Sequence, residues 1–200
     1  MRPEVYFSVD VEADGPIPGP YSMLSVGVCV AGSFVADSRS VRGGFTPADP
    51  TERTFYRELR PISDSYVPEA LAVSGLDRDA LCREGADPAA AMTELTDWVT
   101  AAAGAGKPIM TAYPAPFDWL FLYWYLIRFT GHSVFGHSGC FDVKTAYAVK
   151  AGVPIGRVGK GAMPRHLHST RPHTHHALDD AIEQADLFAN VLRWSGPTAG

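Results

Sequence analysis

The chain has 200 residues, 46% of them hydrophobic and 20% charged, with a formal net charge of −5 at pH 7. Those are globular values, which exclude a disordered, fibrous or coiled-coil chain and make one domain over 1–200, with its core at about 4–194, the expectation. A net negative charge also argues against a broad basic face that coats duplex nucleic acid.

At the N-terminus Met1-Arg2-Pro3-Glu4-Val5 lacks the apolar stretch of a secretory signal, so the cytoplasm is the expected compartment. Val5, Phe7, Val9 and Val11 alternate with Tyr6, Ser8, Asp10 and Glu12, the period of a strand whose polar face ends in two carboxylates. Turn residues fill 14–20, and 23–30 reads as a second strand in which Gly27 marks a bulge or a close approach. Phe34-Val35 and residues 54–59 supply two more strands, with a short helix over 51–59 as the alternative. Residues 68–73 are helical and closed by Gly75, and Asp87-Pro88 opens a helix through Ala103 that Gly104 and Gly106 stop. A strand at 109–113 and helices at 117–129, 143–150 and 177–194 follow. The apolar run 119–127 lies between Asp118 and Arg128 and is far short of the ~20 residues of a membrane span, so it reads as a buried helix and no membrane partner is expected. In the last helix Leu178, Ile182, Ala185, Phe188, Ala189 and Leu192 form the stripe expected to face the core, with Asp180 off it. This order predicts an α/β fold with a mixed sheet flanked by helices. Cys29, Cys82 and Cys140 show no CxxC spacing and read as small buried hydrophobes.

Asp10 and Glu12 leave the same face of their strand, where like charges repel unless a hard divalent cation sits between them. The bland reading is an exposed strand end. Asp118 follows a prolyl loop at the start of an apolar helix and, taken alone, is an ordinary first-turn acid. Asp180 is also a first-turn acid, with His175 just upstream on a loop where a general base could reach water. His176 and Asp179 are the same pair shifted by one residue. From 143 to 178 there is no acid, yet the segment carries Lys144, Lys150, Arg157, Lys160, Arg165 and Arg171 with His166, His168, His173, His175 and His176. This strip is either a solvated loop or a phosphate-contacting surface. Its histidines have metal-ligand spacings, although Pro172 and the absence of cysteine partners weigh against a zinc site.

Asp10-x-Glu12, Phe117-Asp118 and His175-x-Ala177-Leu178-x-Asp180, in that order, resemble the three motifs of the DEDDh 3′-to-5′ exonucleases, the family of ribonuclease T and oligoribonuclease. The runs at 67–76 and 141–145 are similar to further family segments. The resemblance implies a ribonuclease-H-like fold in which Asp10, Glu12, Asp118 and Asp180 hold two Mg²⁺ ions, with Mn²⁺ able to substitute, and His175 takes a proton from the attacking water. Those carboxylates account for four of the five excess negative charges. The implied reaction removes nucleoside 5′-monophosphates from single-stranded RNA or DNA 3′ ends, RNA ahead of DNA, and the implied assembly is a homodimer. Phe117 is a candidate platform for a base, with core burial as its alternative, and Leu24 is a candidate wall beneath the terminal base. Arg157, Lys160, Arg165 and Arg171 would contact backbone phosphates. One departure stands out: Pro114 occupies the place of the family's usual asparagine, four residues before Asp118. It supports an alternative, a catalytically weak module that holds nucleic-acid ends or a protein.

Overall fold

The computed structural model describes residues 2–36 and 43–197, so residues 1, 37–42 and 198–200 of the expected 1–200 span lie outside the described residues. Strand β1 (Glu4–Ala13) lies at the centre of a mixed sheet. It pairs antiparallel with β2 (Met23–Ala36) on one side and parallel with β5 (Lys107–Ala112) on the other. Two short strands, β3 (Gly43–Pro47) and β4 (Thr54–Glu58), share the outer edge of β2, and β6 (Cys140–Asp142) closes the far side beyond β5. Phe34 and Val35 therefore extend β2 instead of forming a strand of their own, and residues 54–58 are strand, not helix.

The helices α1 (Pro68–Ser74), α2 (Arg78–Glu84), α3 (Pro88–Ala103), α4 (Ala115–Thr130), α5 (Val143–Ala151) and α6 (Ala177–Arg193) complete the fold. Local chemistry sets their ends. The Asp87 carboxylate accepts from Ala89 N and Ala90 N at the start of α3, with Pro88 in the first turn where its missing N–H costs nothing. No helix is long and apolar enough to cross a membrane among the described residues.

The alternation along β1 divides the interior in two. Phe7, Val9 and Val11 enter one core with Leu95 and Val99 of α3 and Phe121, Leu122 and Tyr125 of α4. Tyr6 and the Cys29 and Ala31 side chains of β2 enter the other, beneath α5 and α6. Side chains such as Phe7 and Phe188 are fully buried, each stabilising the fold by roughly 1.5–3 kcal/mol. Cys29 is buried as expected, Cys140 is partly covered and Cys82 is exposed.

Helix α6 corrects the expected stripe. Its buried face runs through Ala177, Asp180, Ala181, Gln184, Ala185, Phe188 and Val191, while Leu178, Ile182 and Leu192 are only partly covered. Two causes combine: the alanines let the helix lie close on the sheet, and Asp180 and Gln184 turn inward toward polar groups of β1. Gly27 completes the fit. It pairs with Asp10 across the strands, and a Cβ there would come within 2.3 Å of the Ala177 carbonyl and the Leu178 amide. The close approach expected of Gly27 is thus the seat of the α6 N-terminus.

Candidate active site

That seat brings three parts of the chain to one point. Asp10 and Glu12 leave the α6 side of β1, Asp180 comes down from the first turn of α6, and one carboxylate oxygen of each lies within 4.8 Å of the others. Asp118, in the first turn of α4, is buried, and its Oδ1 accepts the Val11 N–H at 3.0 Å, which ties it to the β1 backbone between the two strand acids in sequence, although it is not one of the three whose oxygens lie within 4.8 Å.

Burial above all, then the negative charges of Asp118, Glu12 and Asp180, holds the Asp10 carboxyl well above the usual range, against a lowering hydrogen bond from Gln184. Burial followed by Asp180 pushes Glu12 up to about 7. Burial also raises Asp118, although the Val11 N–H opposes it. Carboxylates that resist ionising beside one another form an all-oxygen donor set, which suits a hard divalent cation.

Asp10 and Asp180 are braced. Gln184 lies one helical turn beyond Asp180; its Oε1 accepts the Tyr113 N–H at 2.7 Å, so its Nε2 must face Asp10, to whose Oδ1 it donates at 2.6 Å. Asp180 accepts the Thr174 N–H on Oδ1 at 2.8 Å and the His175 N–H on Oδ2 at 2.9 Å. His175 has φ of 60°, a left-handed conformation uncommon for a residue other than glycine, and its exposed imidazole is brought to the Asp180 carboxylate. His176 goes elsewhere: it stacks on Tyr56 with ring centroids 4.4 Å apart, and its Nδ1 is 3.7 Å from the exposed Asp179. The two histidine registers are therefore separated in space.

Among the other expected residues, Phe117 is 40% exposed and available to a base, and Arg157 and Arg165 are exposed on the short 3₁₀ turns Ile155–Arg157 and Arg165–Leu167. Leu24 is fully buried, because strand β2 is covered on both faces at that point, so it cannot wall a solvent-filled pocket. Lys160 pairs with Glu183 and Arg171 with Asp186 at 3.1 Å, which neutralises charges expected to meet phosphate. Pro114 precedes α4 without a side-chain cap; Asp142 takes that part, accepting Ala115 N at 2.9 Å on one oxygen and Thr145 N at 2.9 Å on the other. Gln184, and the turn of His173 toward Asp180, escaped the sequence reading. An amide at helical spacing from Asp180 was the available signal for the first. A groove of about 710 Å³ beside α4, lined by Trp119, Leu120, Tyr123 and Ile127, contains none of the clustered acids.

No protein-family model matches the chain. A curated relative from Escherichia coli, the 3′-5′ DNA exonuclease Cap18, is 32% identical over 193 residues, covering 96% of this chain and 94% of its own. The nuclease domain of 3′hExo, a DEDDh family member solved bound to rAMP, superposes with a TM-score of 0.66 at 15% identity over 96% of this chain and 92% of its own. Exonuclease I of E. coli, solved with a dT13 oligonucleotide, gives 0.61 at 16% identity, this chain spanning 41% of that one.

Proposed function

Since the chain belongs to the DEDDh 3′-to-5′ exonucleases, we propose that it shortens single-stranded DNA from the 3′ end, releasing nucleoside 5′-monophosphates at a centre held by Asp10, Glu12, Asp118 and Asp180. The meeting of Asp10, Glu12 and Asp180 within 4.8 Å carries this reading. DNA takes precedence over the RNA expected from stand-alone exoribonucleases because the relative that matches almost the whole chain is named for DNA.

Two magnesium or manganese ions at the four carboxylates would lower the pKa of a bound water and offset charge on the phosphate and the leaving oxygen. The residues' own parts follow from their contacts. With Oδ1 of Asp10 held by Gln184 and Oδ1 of Asp118 held by Val11 N–H, each presents its second oxygen in a fixed direction. The exposed His175 imidazole takes the proton of the attacking water. Phe117 stacks on a base, and Arg157 and Arg165 contact phosphates, which adds affinity without reading sequence.

The test is a time course on 5′-labelled single-stranded DNA and RNA of one sequence, with magnesium or with EDTA. A metal-dependent ladder shortening from the 3′ end, faster on DNA, is expected. Faster shortening of RNA would overturn the substrate assignment, and equal rates in EDTA would overturn the metal centre.

A further inference from the structure

Five histidines crowd the segment before α6, and the fold sorts them. His166 sits edge-on to Trp194 at 6.5 Å, His168 bonds the Met163 carbonyl, and His176 lies on Tyr56. His173 and His175 instead converge on Asp180: their ring centroids are 4.6 Å apart, His173 Nδ1 is 3.0 Å from Asp180 Oδ2, and a ligand atom from each of the three residues lies within 4.8 Å of the others. Here the donors are two imidazole nitrogens and one oxygen, unlike the all-oxygen set around Asp10 and Glu12.

We propose that His173, His175 and Asp180 form a second metal site, one that takes a borderline transition ion, zinc above all, and that zinc there inhibits the exonuclease. Imidazole and carboxylate together suit zinc, whereas magnesium prefers oxygen alone. Three protein ligands and a water complete a tetrahedral zinc site, with Zn–N bonds of about 2.0–2.1 Å placing neighbouring donors about 3.3 Å apart. The 3.0 Å already separating His173 Nδ1 from Asp180 Oδ2 is close to that. The carboxylate is also braced as metal-binding carboxylates are, by the Thr174 and His175 amides. His173 and His175 are both exposed, so an ion reaches them from solvent.

Inhibition follows from sharing, and this half rests on the exonuclease reading above. A zinc ion on His175 occupies the nitrogen that would take the proton of water, and it draws Asp180 away from the ions at Asp10 and Glu12. Zinc binding itself does not depend on that reading.

Zinc chloride is titrated calorimetrically, in a magnesium-containing buffer, into untagged protein and into the variants His173→Ala, His173→Gln and Asp10→Asn; the inhibition of the magnesium-supported exonuclease by zinc is measured in parallel. Expected is one zinc per wild-type chain, retained in Asp10→Asn and weakened more than about tenfold in both His173 variants. Relative to their own magnesium-supported rates, those variants resist zinc by the same factor. His173→Gln retains an N–H toward Asp180, so it separates ligation from simple bracing. Zinc binding lost in Asp10→Asn but kept in His173→Ala would place the ion at the four-carboxylate centre and overturn the proposal, as would equal zinc affinity in all four proteins. Magnesium-supported activity lost with His173→Ala and restored by His173→Gln would also overturn it, making His173 a brace for Asp180. Zinc bound as expected to a protein without exonuclease activity would uphold the site and sink the functional reading instead.

Discussion

The carboxylate cluster and the strip that precedes α6 adjoin each other and are built in opposite ways. The acids stand on regular elements, Asp118 and Asp180 buried and Asp10 and Glu12 partly covered, and two of them have partners from distant parts of the chain: Val11 N–H for Asp118, Gln184 for Asp10. The strip runs through three short 3₁₀ turns, and its Arg157, Arg165 and Arg171 are exposed. Chemistry needs fixed oxygens, because small misplacements of reacting groups are costly. Holding a charged backbone of variable sequence needs reach and charge instead. His175 belongs to both regions: its amide is tied to Asp180 while its ring faces solvent.

The sharpest way to separate the two is at Asp10. If Asp10 holds metal as proposed, Asp10→Asn lowers turnover by about 10³-fold, roughly 4 kcal/mol of transition-state stabilisation, while the metal-free protein melts at the same temperature or higher, since one of several mutually repelling acids has gone. Single-turnover rates and thermal melts read both. Gln184→Leu comes next: with the brace gone and Asp10 left to move, the metal concentration for half-maximal rate rises about 10–100-fold, measured by titrating manganese against rate and against melting temperature. Changing the strip has a smaller and different result. The Arg157→Ala/Arg165→Ala double variant raises KM several-fold and leaves kcat unchanged, and its log–log salt dependence flattens by about 0.7 for each phosphate that is no longer neutralised.

A further effect is on stability. Glu12 has its carboxyl pushed up from 4.5 to about 7 in the folded protein, so between those values the native state binds more protons than the unfolded chain. Metal-free protein therefore loses stability as pH rises from about 5 to 8. Added magnesium shrinks that slope by giving the ionised acids a counter-charge. Melting curves at several pH values, with magnesium or EDTA, check both signs.

Much of this was legible in the residues. The β1 alternation put Asp10 and Glu12 on one face, Gly27 signalled a close approach, and the resemblance to the family's third motif favoured His175 over the adjacent His176, which the structure sends to a different place. The α6 stripe was misread because hydrophobicity stood in for burial: the helix meets the sheet through alanines, and its inward polar residues serve other polar groups. β6 was missed because three residues give no usable periodicity, and β3 because two of its five residues are glycine and one is proline, types depleted in strands. Lys160 and Arg171 were counted as free charges because the partners that neutralise them, Glu183 and Asp186, lie on a helix whose orientation only packing decides.

Gly27 also sets an order of events during synthesis. The helix that rests on it begins more than 160 residues after β1 ends, and contacts so far apart in sequence carry a large loop-closure cost, repaid only when the intervening layers are in place. A nascent chain can therefore fold its first strands and its α3–α4 layer while Asp180 and His175 are still inside the ribosome. Until α6 settles on that glycine, Asp10 and Glu12 stand without Asp180 and His175, so the cluster is the last part of the molecule to be assembled.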